Sequence, residues 1–312
     1  MPGWNGRRPG AGTTSRHPKT NEAPTLERRP SRALGAATPR YRFDRGMQTS
    51  RLRAIERALA SLDPTGRFTD RVADYLRFRP GYPPALLEWV GAEHSIGPPW
   101  LVADVGAGTG ISSRLFLEAG HAVVAVEPNA AMRAAAVEAL RETPRFRAVN
   151  ATAEATSLPE ASTDLVVAAQ AFHWFDPEAV RLEWRRILRP RGLVLVVWNA
   201  RRTSGTAFLE GYEQLLRRHS TDYAAVAERY PEPDFMRAWF GRGFRAARSF
   251  ENHQVLDLRG LKGRLLSSSY APAPGRPGHE ALLRALDHLF HRTAEGGHVT
   301  LEYETRAYLG RP

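Results

Sequence analysis

Three glycines stand at alternate positions where an apolar stretch ends and a helical pattern begins. They are Gly106, Gly108 and Gly110. A strand-to-helix turn with so little side chain lets a ligand approach the backbone closely. Asp104 precedes this turn, and Glu127 stands at the end of the next apolar stretch. The pattern predicts a ligand site bordered by two carboxylates, although a tight turn without a ligand is the alternative.

The spacing of the glycines bears on which ligand the turn would hold. A dinucleotide site uses G-x-G-x-x-G, and here Ile111 occupies the position of its third glycine. Asp104, ahead of the turn, disfavours a pyrophosphate and favours a cation or an amine. Glu127 can accept hydrogen bonds from both hydroxyls of a ribose. A nucleoside that carries a positive group therefore fits better than NAD, and an NAD-dependent reductase remains the alternative enzyme class.

The elements that must position these residues alternate between short apolar runs and helical patterns. The predicted strands are Leu101–Val105, Ala122–Val126, Phe146–Val149, Leu165–Ala168 and Leu193–Trp198. The helices between them are Gly110–Ala119, Asn129–Arg141 and Pro177–Leu188. Such alternation requires crossover connections and a parallel sheet covered on both faces. The doubly wound α/β class follows.

Beyond Asn199 the periodicity is weaker. Helices are predicted at Ala207–Arg218, Asp234–Phe240 and Glu280–Arg292, with strands at Gln254–Leu258 and Val299–Tyr308. The last of these alternates apolar and polar residues, as a half-exposed strand does.

Around the glycine turn and beyond it, the chain resembles a known family, the class I S-adenosylmethionine-dependent methyltransferases. The stretches VADVGAGTG and VEPNAAM stand where that family has its glycine motif and its ribose-binding acid. Further similar segments follow in order: Ala151–Glu154, Ser162–Phe175 and Leu188–Leu193. The stretch YLRFRPGYP, residues Tyr75–Pro83, resembles a subgroup that includes the trans-aconitate methyltransferases.

The resemblance implies S-adenosylmethionine as the cofactor and a Rossmann-like sheet, mostly parallel with an antiparallel edge strand and with helices on both faces. It also implies cofactor-binding roles for a set of residues. Glycines 106, 108 and 110 would pass beneath the methionine moiety, and Gln170 would sit beside the methyl donor through its main chain. Glu127 would bind the ribose, and Asp104 would face the amino-acid end. Ala153 and Glu154 would bracket the adenine.

The acceptor side is predicted from the same resemblance and from side-chain chemistry. Tyr75 and Tyr82 are expected to act as lid residues over the cofactor, with a role as plain core aromatics as the alternative. Arg79 can pair with a substrate carboxylate through its planar fork, or can anchor the N-terminal helix on the sheet. His173 can serve as a general base, or can pack with Trp174 to shape the loop beside the sulfonium. The expected reaction is methylation of a small molecule at a carboxylate or a hydroxyl, and the alternatives are an RNA methyltransferase of this fold and a non-catalytic cofactor-binding domain.

Composition bears on partners and location. The first 53 residues hold 12 of the 44 basic and 3 of the 33 acidic residues, so the rest is nearly neutral and nucleic-acid binding is not expected. Cysteine is absent, which excludes disulfides, thiolate zinc sites and cysteine nucleophiles, and no metal-ligand motif occurs. No apolar run is long enough to span a membrane. We expect a cytoplasmic protein, and the sequence leaves the oligomeric state open.

Three regions are predicted along the chain. Residues 1–46 are rich in Arg, Pro and Gly and are expected to be disordered. Residues 47–100 are expected to form a helical lid. Residues 101–312 are expected to form the methyltransferase domain, with a helical substrate cap inserted at about residues 200–250.

Overall fold

The computed structural model describes residues 72–93, 99–221, 223 and 233–312. The predicted tail at 1–46 lies outside the described residues, as does the lid segment up to residue 71. The division into tail, lid and domain therefore stays a prediction.

The chain builds one seven-stranded sheet in the order β3-β2-β1-β4-β5-β7-β6. Its strands are β1 Leu101–Val105, β2 Ala122–Val126, β3 Phe146–Val149, β4 Thr163–Ala169, β5 Leu188–Arg201, β6 Phe244–Leu256 and β7 Val299–Gly310. β7 runs antiparallel to both of its neighbours, β5 and β6, and the other neighbouring pairs are parallel. The predicted fold class is confirmed. The antiparallel strand, β7, lies next to the edge of the sheet, and β6 forms the edge itself.

Helices cover both faces of this sheet. They are α1 Val72–Phe78, α2 Ala85–Glu93, α3 Ile111–Glu118, α4 Ala130–Ala139, α5 Pro177–Ile187, α6 Ala207–His219, α7 Pro233–Phe240, α8 Leu258–Leu266 and α9 His279–Thr293. Alternate β4 residues enter different cores: Val166 packs with Trp184 of α5, and Leu165 packs in the core that holds Trp89 of α2. Strands buried on both faces are apolar throughout, which explains why the central strands were readable from sequence.

A third apolar cluster joins α6, α8 and α9 to β7. Its members include Leu209, Leu261, Leu286 and Leu301. Within the segment at 200–250 that was expected to be a helical cap, α6 and α7 are helices, whereas strand β6 begins at Phe244. In the described part of the chain, no helix combines the length and the apolar character that crossing a membrane requires.

Strand β5 begins at Leu188 rather than at the predicted Leu193, and two other elements differ more from the sequence expectation. β6 begins ten residues before the predicted Gln254 because, as an edge strand, it exposes many of its side chains and lacks an apolar run. Helix α8 was not predicted because it contains Gly260 and Gly263, which are poor helix formers. A Cβ at Gly263 would lie 2.1 Å from the Phe78 ring, so this glycine lets α8 pack closely against α1.

Candidate functional site

The glycine turn connects β1 to α3 at the carboxyl edge of the parallel strands. Gly106, Gly108 and Gly110 all have positive φ, at 69°, 56° and 82°. Side chains at the first and last positions would collide with neighbours, since added Cβ atoms would lie 2.7 Å from Ala171 Cβ and 2.9 Å from Leu140 Cδ1. A Cβ on Gly108 would meet nothing within 4 Å. The turn is therefore packed from both sides and open above Gly108.

Glu127 follows β2 and faces this turn from the neighbouring strand. Its Oε2 accepts a hydrogen bond from the Gly108 N–H at 2.9 Å, and its Oε1 accepts one from the Asn129 N–H at 2.8 Å. Burial raises the pKa of Glu127, and the two backbone hydrogen bonds oppose that shift. The structure thus places this carboxylate directly beside the open glycine.

Asp104 lies under the turn and is fully buried. Its Oδ2 accepts hydrogen bonds from the hydroxyls of Ser112 and Ser113, at 2.7 and 2.6 Å, while Oδ1 has no partner among the described residues. Burial raises the pKa of Asp104 to about 6, although both serine hydrogen bonds lower it. The sequence analysis did not identify these serines as site residues. Their position in the first turn of a helix that begins at the glycine turn is the feature that could have indicated them.

A cavity opens between the glycine turn and the segment that follows α1. We call residues 79–83, which run from α1 to α2, the strap. The cavity is lined by Tyr75, Arg79, Pro80, Tyr82, Gly106, Ala107, Ile111, Ser112, Ala169 and Gln170. Five of the predicted site residues therefore meet here: Tyr75, Arg79, Tyr82, Gly106 and Gln170.

Side-chain amides from the antiparallel end of the sheet hold the strap and the end of α1. Asn199 and Asn252 each donate through Nδ2 to the Gly81 carbonyl, at 3.0 and 2.9 Å. Gln254 Nε2 donates to the Phe78 carbonyl at 3.0 Å. These amides come from β5 and β6, so the roof of the cavity is fixed by strands distant in sequence, a pairing that no local pattern predicts.

Arg79 reaches from the strap toward α8. Its Nη2 donates to the Ser267 carbonyl at 2.9 Å, and its Cζ lies 4.7 Å from the centre of the Tyr75 ring. Its buried Nε has no hydrogen-bond partner in the described part of the chain. The same arginine thus anchors the strap and keeps an unsatisfied donor at the cavity wall.

Gln170 follows the last residue of β4 in a strained conformation. Its φ is 55°, which is uncommon for a residue other than glycine and costs about 1–3 kcal/mol. Its N–H donates to the Val197 carbonyl, Nε2 donates to the Asn199 carbonyl at 3.3 Å, and the buried Oε1 has no partner among the residues described. Strain and an orphan acceptor at the cavity wall are features typical of a ligand site.

His173 and Trp174 lie in a short 3-10 turn after β4 and do not line this cavity. The Trp198 Nε1–H points at His173 Nδ1 across 3.5 Å, and the rings of His173 and Trp174 lie 4.8 Å apart. A donor at Nδ1 makes that nitrogen the acceptor, so the neutral ring carries its proton on Nε2. This arrangement supports the packing role more than the base role.

Ala153 and Glu154 also lie apart from the cavity. Ala153 is buried, and its carbonyl accepts a hydrogen bond from Trp184 Nε1 at 3.2 Å. Glu154 Oε1 accepts from the Asp176 N–H at 3.2 Å. Both residues follow β3 in sequence. Ala153 is held by Trp184 within α5, and Glu154 by the Asp176 N–H at the start of that helix.

Part of the chain, including the glycine turn, matches a known protein family. Residues 103–196 match the family model described as a methyltransferase domain; the match runs from within β1 to within β5 and includes the glycine turn, Glu127 and Gln170. An uncharacterized methyltransferase of Mycobacterium tuberculosis is 40% identical over 135 residues, which are 43% of this chain and 52% of that protein. One from Schizosaccharomyces pombe is 32% identical over 153 residues, or 48% of this chain and 59% of that protein.

A solved structure supports the fold over more of the chain. A candidate type II methyltransferase from Anaeromyxobacter dehalogenans is 26% identical, with a TM-score of 0.55, and the match covers 75% of this chain and 97% of that chain. The chain spans about half the length of the curated relatives it matches. The described residues thus have the Rossmann-like methyltransferase fold.

Proposed function

We propose that this protein transfers a methyl group from S-adenosylmethionine to a small-molecule acceptor that carries a carboxylate or a hydroxyl. The observation that carries the proposal is the open backbone at Gly108 faced by the Glu127 carboxylate, inside the segment that matches a methyltransferase domain. The cavity under the strap adjoins that turn.

The residues present fit the cofactor. The buried Asp104 Oδ1 lacks a partner, which suits the ammonium of the methionine end, and Glu127 suits the ribose hydroxyls. The open space above Gly108 admits the backbone approach that the methionine moiety needs. Ala153 and Glu154 would bracket the adenine, and the Gln170 main chain would border the methyl donor. When bound, the cofactor supplies a methyl group on a positively charged sulfur, which departs as a neutral thioether.

The task of the chain is then to align the acceptor in a dry pocket. Tyr75 and Tyr82 line the cavity beneath the strap, and Arg79 presents an unsatisfied buried Nε there. An arginine with no carboxylate within 4 Å among the described residues suits an acceptor carboxylate. An ionised carboxylate needs no base, which agrees with the donor that Trp198 presents to His173 Nδ1. We therefore favour a carboxylate acceptor, as the trans-aconitate resemblance implies, over a hydroxyl.

The regions predicted along the chain belong to the same proposal. Residues 47–100 would form a helical lid over the cavity, and the segment at about 200–250 would cap the acceptor. Both would exclude water from the transfer.

The test is a methyl-transfer screen of the full chain against carboxylates, phenols and amines, with S-adenosylhomocysteine formation as the readout. Turnover with carboxylates is the expected result. Turnover confined to amines or to RNA would contradict the proposed acceptor, and failure to bind S-adenosylmethionine would contradict the proposed activity.

A further inference from the structure

A cluster of polar side chains lies where β5, β7 and β6 run side by side. Asn199 of β5 is 4% exposed, and Thr305, its register partner on β7, is fully buried. Asn252 of β6 is paired with Tyr303, two residues from Thr305, so its side chain lies on the same face of the sheet. We call Asn199, Asn252 and Thr305 the asparagine junction. Three adjacent strands each contribute one of its side chains.

Hydrogen bonds within the asparagine junction orient the Asn199 amide. Thr305 Oγ1 donates to Asn199 Oδ1 at 2.6 Å, and Asn252 Nδ2 donates to the same oxygen at 3.2 Å. With Oδ1 so occupied, Asn199 Nδ2 points the other way and donates to the Gly81 carbonyl at 3.0 Å, which also accepts from Asn252 Nδ2 at 2.9 Å. Buried polar groups are costly unless they are hydrogen-bonded, and these groups are satisfied only when the strap is in this position.

The main chain of Gly81 lies at the point where the strap meets the cavity. Its neighbours on either side, Pro80 and Tyr82, both line the cavity, so a carbonyl held by two donors positions the residues that flank it. Asn199 also accepts, through its main-chain carbonyl, the hydrogen bond from Gln170 Nε2 at 3.3 Å. Gln170 lines the same cavity, whereas Asn199 does not. One residue outside the cavity thus contacts both its roof and its wall.

The two ends of the strap are attached by apolar packing that does not involve the asparagine junction. Leu86 and Trp89 of α2 are buried in the core that also holds strand residues of the sheet. On the other side, the Phe78 ring packs closely against Gly263 of α8. Burial of these side chains should keep α1 and α2 in place without the junction. Its loss should therefore loosen the strap while the fold is retained.

We infer that Asn199 is a positioning residue for the proposed methyl transfer, and that with Asn252 and Thr305 it sets the distance between the strap and Gln170. This inference rests on the proposed function and adds to it three residues that do not line the cavity. Tyr82 is then held at the cavity before a ligand arrives, so that binding does not have to order it. Preorganisation of this kind strengthens binding without a new contact.

The experiment measures the affinity and the dissociation rate of S-adenosylhomocysteine with the full chain, by calorimetry and stopped-flow fluorescence. Asn199→Ala and Asn252→Ala each remove one donor to the Gly81 carbonyl, and Thr305→Val removes the hydroxyl that orients Asn199 with little change of shape. Each variant should weaken binding by about 2- to 10-fold, as the loss of one hydrogen bond predicts, with Asn199→Ala the most affected. The change should appear mainly as faster dissociation.

A purely structural role of the junction predicts a different result. The free energy of unfolding of the variants would fall, but the folded variants would bind and release S-adenosylhomocysteine as the wild type does. His253→Ala is the matched control, since His253 is exposed on β6 beside Asn252, and it should leave binding unchanged. If Asn199→Ala fails to fold, the other two variants still decide the question, because Asn252 is partly exposed and Thr305→Val preserves the shape of the side chain.

The inference is overturned if the folded junction variants match the wild type in affinity and dissociation rate. It is also overturned if His253→Ala weakens binding as much as Asn252→Ala, since that would indicate a general effect of β6 rather than of the strap. Failure of the wild type to bind S-adenosylhomocysteine is a distinct result, which contradicts the proposed function and this inference with it.

Discussion

At the scale of single residues, the candidate site depends on two buried carboxylates with different surroundings. Glu127 is satisfied by two backbone N–H groups, whereas Asp104 has one oxygen bound by two serines and one without a partner. The sequence located both acids beside the glycine turn. It could not locate the partner of either oxygen, because those contacts depend on how α3 and the turn close over the strand ends.

Replacement of Glu127 by Gln should weaken S-adenosylhomocysteine binding by about 10- to 100-fold. The amide keeps the size of the side chain but removes the charge that strengthens hydrogen bonds to ribose hydroxyls, a loss of about 1.5–3 kcal/mol. Calorimetry of the wild type and the variant measures this. Glu138→Gln is the matched control, since that glutamate is exposed on α4. Equal affinity of the wild type and Glu127→Gln would remove the ribose role.

The buried Asp104 should make stability depend on pH. Its pKa is raised from 3.8 to about 6, so its contribution to stability is fully present below about pH 4 and is lost as the pH rises through 6. Over that window the wild type should lose about 3 kcal/mol relative to Asp104→Asn, which does not titrate. Urea unfolding of both proteins between pH 4 and 8 measures the difference between their free energies of unfolding, which should change by about that amount. A difference that does not vary with pH would contradict the shift.

At the scale of elements, Gly108 and Gly110 of the turn have separate roles. Gly108→Ala should retain the fold at a cost of about 1–2 kcal/mol for the left-handed conformation, yet should abolish cofactor binding, because its methyl group enters the open space. Gly110→Ala adds a collision with Leu140 and should destabilise the fold further. Urea unfolding with S-adenosylhomocysteine calorimetry separates the two effects. Normal cofactor binding by Gly108→Ala would show that the ligand lies elsewhere.

The contact between α1 and α8 offers a test of packing. Gly263→Ala places a methyl group 2.1 Å from the Phe78 ring, so overpacking should destabilise the protein by about 1–3 kcal/mol. Phe78→Ala removes the ring, and in that background the glycine substitution should cost much less. The free energy of unfolding of the two single variants and the double variant forms the cycle. Simple additivity would mean that the close approach does not exist.

At the scale of the whole molecule, the predictable part of the fold is the part whose side chains are buried on both faces. Strands such as Ala122–Val126 are continuous apolar runs and were predicted to the residue. The edge strand β6 was located only in part, because Arg245, Arg248 and Glu251 lie on it as exposed residues.

The candidate site was predictable in the same uneven way. The turn glycines, Asp104 and Glu127 lie close together in sequence and could be named from their types and spacing, whereas Ala153, Glu154 and Gln170 were named from the family resemblance. The proposed acceptor side lies under the strap, whose contacts join residues more than a hundred positions apart, such as Gly81 and Asn199. The amides that hold the strap carry no local pattern.

The central claim is that the turn at Gly106–Gly110 with Glu127 binds S-adenosylmethionine rather than a dinucleotide. Calorimetric titration of the full chain with S-adenosylhomocysteine, and separately with NAD, tests it most directly. We predict binding of S-adenosylhomocysteine that stabilises the protein by about 2.7 kcal/mol at a hundredfold excess over Kd, and no binding of NAD. Binding of NAD, or no binding of S-adenosylhomocysteine, would contradict the account.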